Sequence, residues 1–244
     1  MFGNWFGARS AEKKGAPANA QQEALIEAVR ERSKEDPLIG AKLGSKEVYQ
    51  RLLNDLRSAD GVHIESVLCA LGALAGYACQ AGLRAQAFAQ GQSETAPFQV
   101  IQTNDGKQYF FGDQLNHAIA GAQYSVWGIA GGAAQHAGAQ AFPDLNEIFQ
   151  HTAAVVGGDQ FGMPRVSAEH TPRHLPVIYL KTFWPKLFPI VKAFCPTPAH
   201  WPILYGLAIQ QSIYTSKDII DPAQALRIVM ESAVPMSKVD LARL

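Results

Sequence analysis

The sequence predicts a mainly α fold, α+β only by one β-hairpin: a multi-helix single domain built around two central small-residue helices. Three observations predict it. Apolar residues recur at helical spacing along most of the chain, a single stretch at about 98–111 reads as paired strands, and two helical stretches are lined with Gly, Ala, Ser and Cys. With 244 residues, 48% of them apolar and 17% charged, the chain can bury a sizeable core as one domain over 20–244.

Residues 1–19, MFGNWFGARSAEKKGAPAN, have no sustained period and read as a flexible tail, whose Phe2, Trp5 and Phe6 lack an amphipathic helix behind them. A helix is expected from a cap at Asn19, with Gln22 three residues on, to about Ser33, where Asp36-Pro37 stops it. Ser45 is expected to cap a second helix carrying Leu52, Leu53 and Leu56 on one face. A third helix starts near Asp60, positioned as its cap. His63 and Glu65, two residues apart on a helix, then point roughly 200° apart and form no direct pair.

From Glu65 to Arg84 this helix carries no charge, but Val67, Leu68, Leu71, Leu74 and Leu83 are too few large aliphatics for stable membrane insertion. Ser66, Cys69, Gly72, Gly76 and Cys79 form one small-residue face. The stretch from Asp113 towards Phe142 reads as a second such helix, with Gly121, Ser125, Gly128 and Gly132 on one face and a kink or an end at Ala130-Gly131-Gly132. The expectation is that Cys69, Gly72 and Gly76 pack on Gly121, Ser125 and Gly128. Between the two lies PFQVIQTNDGKQYFFGD, a hairpin over about 98–111 with Gly106 where a three-residue turn needs positive φ. Such a hairpin must lie on helices or pair with a second copy of itself.

Asp144 and Glu147 mark a helix start and Gly157-Gly158 its stop. Residues 157–176 have no period and read as a long loop. Prolines then divide the last third into short helices near 184–194, 202–215, 222–233 and 237–243, with Asp221-Pro222 as cap and first turn.

Lys plus Arg (21) equals Asp plus Glu (21), so no net field draws the chain to nucleic acid. No basic start precedes an apolar segment and a small-residue cleavage site, so no secretory signal is expected. Cys69 and Cys79 are ten residues apart on one helix, about 15 Å, too far for a disulfide, which favours a reducing, cytoplasmic setting.

No Walker A loop, G-x-G-x-x-G, C-x-x-C, H-E-x-x-H or G-x-S-x-G is present, and no cofactor is expected. The leading expectation is a cytoplasmic binding or interaction protein, with a homodimer through the hairpin or the glycine faces. The alternative is a small-molecule enzyme, hydrolase-like or metal-assisted. Its catalytic candidates are Asp113, His117, Glu169, His170 and His174, on a helix start and the 157–176 loop. Asp113 with His117, and Glu147 with His151, are i,i+4 pairs of metal-ligating type. Arg165, Arg173 and His63 are ligand candidates, the arginines and loop histidines together suiting an anionic small molecule.

Overall fold

In the computed structural model, which describes residues 18–243, α1 (Ala18–Arg32) starts one residue before its expected cap and ends where Asp36-Pro37 requires. The tail expected over 1–19 lies outside the described residues but for its last two. Helix α2 (Ile39–Asp55) begins seven residues earlier than expected, so Ser45 is not a cap. It is buried inside the helix and donates to the Lys42 carbonyl at 3.0 Å. The earlier turn is held by a small-residue face: a Cβ at Gly44 would come within 2.6 Å of Leu204 and 2.9 Å of Phe194. A two-residue hairpin, β1 (Arg57–Ser58) with β2 (Gly61–Val62), then turns through Gly61 at φ +100°; the sequence pattern did not predict it.

Helix α3 (Ile64–Ala89) is the spine, every residue from Ser66 to Gln80 being buried. Among the described residues one helix, this one, is long and apolar enough to cross a membrane, and 89% of its apolar window is buried inside the fold. Its cap position is His63, not Asp60. The hairpin β3 (Gln99–Gln102) and β4 (Gln108–Phe111) follows, antiparallel as expected, with Gly106 at φ +83° in the turn. It lies on the chain after the last long helix: Phe110 N–H donates to the Lys238 carbonyl at 2.7 Å and Asp240 N–H to the Gln108 carbonyl at 3.1 Å.

The second small-residue stretch is not one helix. It divides into α4 (Asp113–Asn116), a π turn (His117–Gly121), an extended break, and α5 (Val126–His136) capped by Ser125, which accepts from Gly128 N–H at 3.1 Å. The break sits at Ala122–Ser125, and α5 runs straight through Ala130-Gly131-Gly132 where a kink or an end was expected. Helix α6 (Leu145–Ala154) starts at Asp144, which accepts from Asn146 and Glu147 N–H, and Gly157 follows it at φ +78°.

Helix α7 (Pro176–Phe194) passes through Pro185 and Pro189 instead of starting near them. The two prolines are four apart on the exposed face, as is Lys181, so the carbonyls they leave unbonded belong to exposed residues, while Tyr179, Leu180, Phe183, Leu187 and Val191 fill the buried face. Helices α8 (Trp201–Ser216) and α9 (Pro222–Met236) follow, α9 capped by Asp221 as expected; a 3₁₀ turn (Leu241–Arg243) replaces a final helix.

The partner of the small face on α3 is α9. A Cβ at Gly72 would lie 2.5 Å from the Val229 carbonyl oxygen, and one at Gly76 would overlap the Ala233 carbonyl. Gly121 is instead covered by the ring of His117 from its own turn, and Gly128 by Ser125. Helix α5 packs on α8 and α9, with Ile129 set over Gly206. The expected pairing of Cys69, Gly72 and Gly76 with Gly121, Ser125 and Gly128 is therefore corrected: broken at 122–125, the second stretch offers no continuous face to α3.

Gly76→Ala forces α3 and α9 apart backbone against backbone, at a cost of about 3 kcal/mol or more. Gly132→Ala, where an added Cβ meets nothing within 4 Å, is expected to stabilise by roughly 0.5 to 1 kcal/mol. Thermal unfolding of the two variants checks the contrast, and equal melting temperatures would contradict it.

Candidate functional site

A cleft of about 730 Å³ opens between the C-terminal half of α3, the π turn with its following break, and the turn that leads into α8. Its floor exists because Gly82 lets the Pro198 carbonyl approach, a Cβ there lying 2.9 Å from that oxygen. The walls are apolar, from Leu83, Ala118, Ala122, Pro202 and Ile203. Asp113 and His117, one turn apart, stand at its side with Gln114, Gln123 and Tyr124. Among the described residues Asp113 is the one formally charged residue of the lining, and no lysine or arginine is part of it. The π turn widens the helix at His117, and π turns are over-represented at functional sites. Cys79 also lines the cleft, but burial pushes its thiol up to about 12, so it offers a neutral sulfur surface rather than a thiolate.

The loop candidates lie elsewhere. His170 Nδ1 meets Glu65 Oε1 at 3.2 Å, and His63 Nε2 meets Glu65 Oε2 at 3.4 Å, so one carboxylate stands between two imidazoles at the start of α3. His63 and Glu65 do pair, contrary to the helical-wheel expectation, because His63 has extended backbone (ψ 106°) and precedes the helix. His63 Nδ1 is 2.9 Å from Ser66 Oγ, which also accepts the Arg173 amide at 3.0 Å. Ser66 is buried, so this chain of bonds ties the loop to the helix rather than presenting a nucleophile.

Arg165 is likewise committed. It pairs with Glu147 and with buried Glu231, reaching the latter at 2.8 and 3.2 Å, and the guanidinium holds the Glu147 carboxyl below its ordinary range. With two carboxylates on it, Arg165 is not available to an external anion. Glu169 is exposed, the ring of His174 lies against Tyr179, and Arg173 engages the fold through its backbone. His151 sits on α6 one turn from Glu147. Among the described residues no group of three or more His, Cys, Asp or Glu is arranged to hold a metal ion.

Glu65 and Gly82 are 17 residues apart on one helix, about 25 Å at 1.5 Å per residue. The structure thus keeps Asp113 and His117 together at one end of α3 and places His170 and its partners at the other. Sequence reading missed the far wall of the cleft, Pro198 to Ile203, and it missed Lys238. The Thr197-Pro198 turn was a usable signal for the wall; nothing marked the lysine.

Lys238 is buried, and among the described residues no carboxylate pairs with its amine. Nζ donates to Asn116 Oδ1 at 2.8 Å and lies 5.4 and 5.6 Å from the ring centres of Phe111 and Phe149. Desolvation lowers its pKa to about 8. No family model, curated protein or solved structure matches this chain.

Because the folded-state pKa of Lys238 lies below its unfolded value, its burial penalty is full below pH 8 and disappears as pH rises towards 10.5, a change on the order of 3 kcal/mol. Cys69, Cys79 and Cys195, raised to about 12, act in the opposite sense above pH 9. The difference between wild type and Lys238→Met isolates the lysine: the variant is expected to be more stable at pH 7, with the gap closing by pH 10. A gap independent of pH would contradict this.

Proposed function

We propose that this protein binds a small, mostly apolar molecule in the α3–α8 cleft, with a neutral or cationic polar end set beside Asp113. The observation that carries this reading is the combination of a roughly ligand-sized apolar cleft with a single carboxylate and, among the described residues, no lysine or arginine on its lining. Apolar area supplies the binding energy there, and the carboxylate selects against anions such as a fatty acid headgroup. An enzyme that joins Asp113 and His117 to His170 receives no support, because Glu65, which meets His170, and Gly82, at the cleft floor, are about 25 Å apart along α3. A cytoplasmic setting belongs to the same proposal, supported by three cysteines that are all free and buried.

Titration with the neutral fluorophore N-phenyl-1-naphthylamine, followed by competition with dodecylamine, dodecanol and dodecanoate, tests the reading. Saturable binding is expected, with Ala118→Trp weakening it at least about tenfold by filling the cleft. The amine should exceed the alcohol by about threefold to fivefold, as a surface charge pair allows, and Asp113→Asn should remove that margin. No saturable binding, or a folded Ala118→Trp protein that binds as well as wild type, would defeat the proposal.

A further inference from the structure

The hairpin has one covered strand and one bare one. Strand β4 is enclosed on both faces: Phe110 packs on Phe98 under Arg84, and Tyr109 packs on Phe161. Its outer edge is taken by the chain at 238–240. Strand β3 is different. All four of its residues are exposed, and among the described residues nothing pairs with its outer edge.

Val100 (43% exposed) and Ile101 (41%) are adjacent, so they project from opposite faces of the strand. A strand facing water on one side alternates apolar with polar; apolar residues on both faces are the pattern of a strand covered on both sides within a sheet. Strand β3 therefore has the side chains of an interior strand in an edge position. It also carries none of the usual protections of an edge, having no lysine, proline or bulge between Gln99 and Gln102.

The bonding phase of the edge follows from β4. Phe110 N–H and the Gln108 carbonyl point away from β3, to Lys238 and Asp240. Their partners across the ladder are Val100 and Gln102. In an antiparallel pair such residues turn their own N–H and C=O outwards, so Val100 and Gln102 present these groups on the open side.

We propose that β3 pairs antiparallel with β3 of a second copy of this chain, about a two-fold axis passing between the two Ile101 residues. Val100 then exchanges both main-chain hydrogen bonds with Gln102 of the second copy, and Gln102 does the same with its Val100. The two Ile101 side chains meet in the closer, non-hydrogen-bonded pair. A second copy fits for two reasons. The segment from Pro97 to Gln102 carries no charge, so it meets itself without repulsion, and the nearest charges in sequence, Glu94 and Asp105, are already paired, with Arg84 at 2.8 Å and Lys107 at 2.6 Å. Each chain also offers a single open edge on this hairpin, so pairing closes after two copies instead of growing a filament. Four residues a side make a patch below the roughly 1,200 Å² of stable interfaces, so the dimer is weak, with a dissociation constant on the order of 10 to 100 µM.

Sedimentation velocity of the full chain, from about 2 to about 300 µM, spans that range. The weight-average mass is expected to rise from 26.4 kDa towards twice that value. Ile101→Lys sets like charges against each other at the axis, and Val100→Pro removes an outward N–H without touching a bond to β4; both should stay monomeric with an unchanged circular dichroism spectrum. Ile219→Lys, at an exposed apolar position away from the hairpin, should dimerise like wild type. A wild-type chain monomeric throughout overturns the proposal, including one whose β3 amides become protected only when an extended segment of another protein is added. So does a dimer that persists in folded Ile101→Lys and Val100→Pro proteins.

Discussion

The approach of two helix backbones, α3 against α9 at Gly72 and Gly76, is the constraint on which the other elements depend. Glycine inside a helix costs about 1 kcal/mol relative to alanine, and here the loss is offset by contact between main-chain surfaces along the centre of the fold. Because α9 lies so close, α3 is enclosed on all sides from Ser66 to Gln80, with α7 and α8 closing its remaining faces. An enclosed helix must be apolar all round, which is why this segment resembles a membrane helix in composition while serving as a spine.

The two ends of the spine do different work. At its N-terminus Glu65, held between His63 and His170, anchors the long loop, and Arg165 on Glu231 anchors the same loop to α9. That loop is strapped down at three points and has little freedom to receive a ligand. At the C-terminal half, the cleft lies between α3, the break after the π turn and the turn that Gly82 admits close to the helix. Glycine thus serves two purposes on one helix: it removes volume at 72 and 76 so that a helix can enter, and at 82 so that a turn can form a floor.

Much of the architecture was legible because its signals are local. Asp144 and Asp221 cap their helices, Gly106 turns the hairpin, and the small face of α3 is buried, all as the residues imply. The failures share a cause, namely that the deciding partner is distant in sequence. Gly72 and Gly76 advertise a close neighbour without naming it, and α9 meets them with the main chain of Val229 and Ala233 and the short side chain of Ser232, which do not read as a long small-residue stripe in the sequence. Pro185 and Pro189 break a helix only where the lost bonds are buried, and four-residue spacing put both in water. Asp113 and His117 were found as a pair, but the cleft beside them needs Pro198 to Ile203, some eighty residues away. The loop drew attention through its charges, of which Arg165 is spent on Glu147 and Glu231, while His170 lies against Glu65.

The proposed ligand site lies at the C-terminal half of α3 and its neighbours, not at the loop. Hydrogen exchange measured by mass spectrometry, with and without saturating dodecylamine, tests it most directly. Added protection is expected over Cys79–Gln86, Asp113–Tyr124 and Pro198–Ile203, with 157–176 unchanged. Protection of the loop, with the cleft segments unaffected, would contradict it.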